Sequence, residues 1–136
     1  MAPFGPDGEL ELAVMLTPYI GGVVEFYRMR EGRLDVVARL SGPTSHVNGS
    51  SKLDMALASD LDGDGRTELL VLSRGLTTLI GVHRTESGAE EAWSVEIGGR
   101  VSTNIAAVET ASGGIAIGVG HSNGALRIWP ESAETR

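Results

Sequence analysis

Apolar and polar residues alternate along two stretches of the chain: Leu34, Val36, Ala38 and Leu40 stand against Asp35 and Arg39, and Trp93, Val95 and Ile97 against Ser94 and Glu96. A period of two is the spacing at which successive side chains leave opposite faces of a strand, so both stretches are predicted to be half-buried strands. Three other runs, Glu11 to Thr17, Leu69 to Ser73 and Ile115 to Val119, are largely apolar at both parities. That pattern predicts strands covered on two sides. The 19 glycines fall between these runs as punctuation, which is how turns between strands read. Ser51 to Leu61 is glycine-free and would also suit a short amphipathic helix; its place in the repeat described next favours a strand.

The sequence echoes itself. Asp7-Gly8-Glu9-Leu10-Glu11-Leu12 aligns with Asp64-Gly65-Arg66-Thr67-Glu68-Leu69, and a further strand follows each after a glycine break. That second strand is written three times, as Val23 to Arg28, Thr78 to Arg84 and Ala125 to Trp129. Self-similarity at such a period signals a repeat architecture. The expected organisation is one β-repeat domain over residues 1–136 with units at about 7–49, 50–101 and 102–132. The first unit lacks a convincing first strand, the second is complete, and the third ends before a fourth.

The sharpest chemistry lies in Asp60-Leu61-Asp62-Gly63-Asp64-Gly65-Arg66-Thr67-Glu68. Ca²⁺ takes six to eight oxygens, and carboxylates on alternate residues of a tight loop converge on one centre. Asp60, Asp62 and Asp64 supply the alternation, Gly63 and Gly65 the permissive backbone, Arg66 a candidate main-chain carbonyl and Glu68 a closing carboxylate. Four carboxylates this close repel one another unless a cation joins them. An EF-hand would need Glu at loop position 12, which is Val71 here, and a strand-like Leu69-Leu70-Val71-Leu72 replaces the exiting helix. With neither histidine nor thiolate in the loop the ion should be hard, and Ca²⁺ suits a flexible many-oxygen shell better than Mg²⁺.

The run DLDGDGRTELLVLS resembles the calcium loop of the FG-GAP or VCBS repeat, the blade unit of integrin-α-like β-propellers. The full motif covers about residues 54 to 84, with weaker similarity over most of the remainder. The resemblance implies an all-β fold, a partial β-propeller of about three four-stranded antiparallel blades, with a compact β-sandwich or barrel as the alternative. It implies Asp60, Asp62, Asp64 and Glu68 as side-chain ligands and Arg66 as a carbonyl ligand. Glu68 replaces the commoner Asp. The first unit keeps Asp7 and Glu11 but has Pro3 and Gly5 at the first two ligand positions, and the third has lost its acids in Glu109 to Gly114, so one competent site is expected. The resemblance further implies an extracytoplasmic setting and a loop face opposite the calcium loop, shared by Tyr19, His46, Asn48, Arg74, Arg100, His121 and Asn123, where a protein or carbohydrate partner would bind.

Composition narrows the function. The net charge of −7 and the absence of basic clusters interleaved with aromatics argue against nucleic acid as a partner. No cysteine is present, which excludes disulfides and thiolate metal sites. No apolar run nears the roughly 20 residues that cross a bilayer, and the start lacks the basic and apolar regions of a signal peptide, so membrane insertion is not expected. His46, His83 and His121 lack metal-ligand spacing, no nucleophile elbow or phosphate loop occurs, and no further pair of carboxylates forms an acid and base, so catalysis is not expected. Trp93 and Trp129 read as packing residues, and Asn48-Gly49-Ser50 fits a glycosylation sequon. The reading is a calcium-stabilised recognition or scaffolding module. Its rivals are a non-catalytic portion of a larger secreted enzyme or surface protein, and a lectin. Three incomplete units cannot close a ring, so the chain is expected to form a homo-oligomer or to belong to a longer chain.

Overall fold

A computed structural model of the protein describes residues 1–17, 20–46, 48–52 and 54–130. Its ten strands are β1 Glu11–Leu16, β2 Val23–Arg30, β3 Arg33–Ser41, β4 Leu57–Ser59, β5 Glu68–Leu72, β6 Thr78–Thr85, β7 Gly88–Glu96, β8 Ala106–Glu109, β9 Ile115–Gly120 and β10 Leu126–Trp129. They form three antiparallel sheets ordered β1-β2-β3, β4-β5-β6-β7 and β8-β9-β10, and none closes on itself. No helix occurs among the described residues. The all-β expectation is met, and the closed barrel held as an alternative is not what forms.

The sheets are layers joined by two apolar cores. One core lies between the first and middle sheets and is built from Phe4, Val24, Phe26, Ala38, Leu69, Val71 and Val82. The other lies between the middle and third sheets and includes Leu70, Leu72, Leu79, Ile97, Ile117 and Val119. β5 explains the arrangement. All five of its residues are buried, with Leu69 and Val71 entering one core and Leu70 and Leu72 the other, as the doubly apolar pattern of Leu69 to Ser73 predicts. The second alternating stretch falls on β7 and the residue after it, whereas the first, on β3, is broken by a bulge at Val37 that leaves Leu34 and Val36 exposed while Ala38 and Leu40 pack inward.

The repeat is visible in the pairing. Ser59 faces Glu68 across β4 and β5, and where the first unit lacks a first strand a single bridge pairs Ala2 with Glu11 in the same way. Both linkers between sheets also join the next layer alike: Thr44 N–H donates to the Leu72 carbonyl at 2.7 Å, and Ser102 N–H to the Gly120 carbonyl at 2.9 Å.

The structure departs from the sequence reading at Ser51 to Leu61, where among the described residues only Leu57–Ser59 is strand. Upstream the backbone is irregular. The Asp54 carbonyl accepts a hydrogen bond from Ile105 N–H at 3.1 Å, and Met55 is driven into the core. Trp93 and Trp129 both pack against the second core, as expected of packing residues. Trp93 lies over its cross-strand partner Gly81 so closely that a Cβ there would come within 2.3 Å of the indole, which accounts for a glycine inside β6.

Candidate metal centre

The connection from β4 to β5 carries the acidic loop, and its own backbone shapes it. Gly63 and Gly65 adopt φ of 83° and 86°, the left-handed region that glycine enters without steric cost. Asp60 closes the turn from both oxygens, Oδ1 accepting from Gly63 N–H at 2.8 Å and Oδ2 from Gly65 N–H at 2.9 Å. Asp62 Oδ1 accepts from Asp64 N–H at 3.1 Å, and Asp64 Oδ1 from Arg66 N–H at 2.8 Å. Each aspartate is thus held by an amide, while Asp62 and Asp64 keep a second oxygen outside these bonds. Ligand oxygens of Asp60, Asp62, Asp64 and Glu68 all lie within 4.8 Å of one another, close enough to hold one metal ion.

Glu68 differs from the three exposed aspartates. As the first residue of β5 it is completely buried. Its Oε2 accepts from Leu61 N–H at 2.7 Å, whereas its Oε1 is buried with no hydrogen-bond partner. Burial pushes its carboxyl up to about 7, against the pull of the Leu61 amide, and the charges of Asp62, Asp64 and Asp60 add to the rise. An ionised carboxylate in that position needs a counter-charge. Among the described residues none of the five salt bridges reaches the four acids. Arg66, which the sequence offers as a carbonyl ligand, is exposed and sends its guanidinium to the Arg84 carbonyl.

The equivalent position one unit earlier shows the same need met by protein. Glu11, also buried, binds Arg28 at 2.5 Å and Arg84 at 2.8 Å. Arg28 comes from the neighbouring strand and is held above its ordinary pKa, chiefly by that hydrogen bond to Glu11; Arg84 reaches across from the middle sheet. On the middle sheet, the residue beside Val82 in the strand facing Glu68 is His83, whose Nε2 turns instead to Glu90 at 3.0 Å. In the first unit a two-arginine clamp meets the buried glutamate, and among the described residues no such clamp meets Glu68.

Of the residues assigned to the opposite face, the six that are described gather at one end. The acidic loop enters β5 and Arg74 follows it, so the two lie at opposite ends of that strand. Val101 N–H binds the Leu76 carbonyl, Ser122 N–H binds the Arg100 carbonyl, and Thr44 pairs with Leu72, which brings Arg100, the His121–Asn123 turn and His46 beside the turn of Arg74. Gly49, next to Asn48, lines a cleft of about 340 Å³ with Lys52 and Arg100. Arg74, Arg100, Asn48 and Asn123 are exposed, while His46 and His121 are half-buried. Asn123 Oδ1 accepts from Ala125 N–H at 3.0 Å, a turn-forming bond, and His46 Nδ1 lies 3.2 Å from Ser45 Oγ. Tyr19 lies outside the described residues.

Comparisons with protein-family models, with curated proteins and with solved structures find no match.

Proposed function

We propose that the chain is a calcium-binding β-repeat module of the propeller-blade type, working by recognition or scaffolding and not by catalysis. The observation that carries this reading is Glu68: a buried carboxylate with one oxygen unpartnered, aimed into a ring of three aspartates with no protein cation among the described residues. The donor set is all hard oxygen, which suits Ca²⁺. The ion is structural in this reading, fastening the β4 to β5 connection to the sheet buried between the two cores. The partner, a protein or carbohydrate, meets the end that carries Arg74 and Arg100. The resemblance of residues 54 to 84 to the FG-GAP or VCBS loop supports the blade reading, as do three sheets of three, four and three strands with a repeated joint.

The test is thermal unfolding in chelator and in about 5 mM Ca²⁺. A site with Kd near 10⁻⁴ M, within the range of extracellular modules, gains about 2 kcal/mol at that concentration. Asp62→Ala abolishes the gain. Calorimetry that finds neither heat nor thermal shift in the wild type rejects the site.

A further inference from the structure

The three sheets use their faces in a constant order. β5 turns Leu69 and Val71 toward the first sheet, and β9 turns Ile117 and Val119 toward the middle one. β1 places Leu12 and Val14 at the corresponding positions, opposite to Ala13 and Met15, which face the middle sheet. Leu12 and Val14 therefore present a face of the kind that covers a preceding sheet, and no sheet precedes them among the described residues. The other end of the stack is the reverse case. The face by which β5 covers the third sheet, Leu70 and Leu72, corresponds on β9 to Gly118 and Gly120, which lie on the open side with Ala116. These small residues floor an apolar trough of about 460 Å³, walled by Val108, Leu126 and Ile128, which are 64%, 68% and 59% exposed.

We infer that copies of this chain stack head to tail, the open face of the β8–β10 sheet of one copy covering the open face of the β1–β3 sheet of the next. Each open face is the register counterpart of a face already buried inside the chain, so the joint continues the two interfaces the fold contains. The shapes fit in this order and not in the others. Two troughs facing each other would oppose glycine to glycine, and two β1–β3 faces would bring Glu25 against Glu25. Head to tail, the trough receives the ridge of Leu12, Tyr27 and Val36, which the strand pairing sets side by side across β1, β2 and β3. Glu25, on the same face, is bonded by the Tyr27 hydroxyl and by Arg39 Nε at 2.5 Å, so covering it leaves that carboxylate paired, while the Arg39 side chain lies on the edge strand β3 and is 64% exposed. A joint between unlike faces closes into a ring or extends as a filament.

The experiment is light scattering after size exclusion, from micromolar to near-millimolar protein, on the wild type and two variants. Ile128→Lys blocks the trough and Val36→Lys the ridge. Both positions are exposed in the single chain, 59% and 39%, so folding should survive. The wild type should gain mass with concentration, each variant alone should stay at 14.2 kDa, and an equimolar mixture should form a dimer, because each supplies the face the other has lost. A wild type that stays monomeric throughout, a single variant that still associates, or a mixture that does not pair overturns the inference. Circular dichroism monitors the fold, and Leu126→Lys replaces Ile128→Lys should that variant unfold. Chelator leaves the result unchanged, which separates this joint from the metal centre.

Discussion

Replacing Glu68 by Gln removes one charge from a buried carboxylate and leaves an oxygen to accept the Leu61 amide. In metal-free protein this substitution should stabilise the fold. The wild-type carboxyl rises from 4.5 to about 7 on folding, so at pH 8, where it is ionised in both states, its burial costs about 3 kcal/mol. With an unfolding entropy of about 2.1 cal/mol/K per residue over 136 residues, that corresponds to a rise in Tm of about 10 °C for the variant. The pH dependence has a definite sign. Between about pH 4.5 and 7 the folded wild type holds the proton that the unfolded chain releases, so the Glu68 contribution to metal-free stability is greatest below pH 4.5 and is lost as pH climbs through 7. The variant lacks this fall. Calcium reverses the ranking of effects: it should raise the wild-type Tm and leave Glu68→Gln nearly unmoved. Urea and thermal melts across pH 4 to 8, in chelator and in Ca²⁺, measure all of this. A Gln variant less stable than wild type in chelator at pH 8, or one that keeps the full calcium shift, would refute the account of Glu68 as an uncompensated ligand.

Two further outcomes test the surrounding structure. Glu11→Gln strands the buried Arg84, which is 4% exposed, and should cost about 3–5 kcal/mol in urea denaturation whether or not Ca²⁺ is present. Gly81→Ala drives a methyl group into the Trp93 indole and should destabilise by about 1–3 kcal/mol, with a change in tryptophan fluorescence reporting the displaced ring.

Much of the fold is legible in the chain because burial here is written as parity. Leu69 to Leu72 is apolar on both faces and is buried on both; Leu34 to Leu40 keeps one apolar parity in sequence, but a bulge at Val37 turns Leu34 and Val36 outward while Ala38 and Leu40 face the core, which a period of two could not reveal. The strand inventory follows the repeat, including the first unit's missing strand, whose place is kept by the lone bridge of Ala2 to Glu11. The described residues between 51 and 56 were illegible because isolated contacts, Asp54 with Ile105 and Asn104 and Met55 in the core, leave no period. The acidic loop was legible as a cluster, since alternate aspartates between glycines are local. What sets Glu68 apart from Glu11 was not. Arg84 is 73 residues from Glu11 in sequence, and only the packing of two sheets makes it the partner of one glutamate and not of the other. A charged residue in the otherwise apolar parity of Val82 was the one hint.

The double burial of β5 has a kinetic consequence. Both outer sheets need its side chains to complete their cores, so neither has a surface to condense on until the middle sheet exists. The hairpin of β5 and β6, closed by a short turn, forms from contacts near in sequence, which places it early on the path. The acidic loop is the segment that must fold back to add β4 to that hairpin, and four like charges resist the closure. A cation that gathers them would ease the step that adds β4 to the early hairpin, so its effect should appear in the folding rate as well as in the unfolding rate.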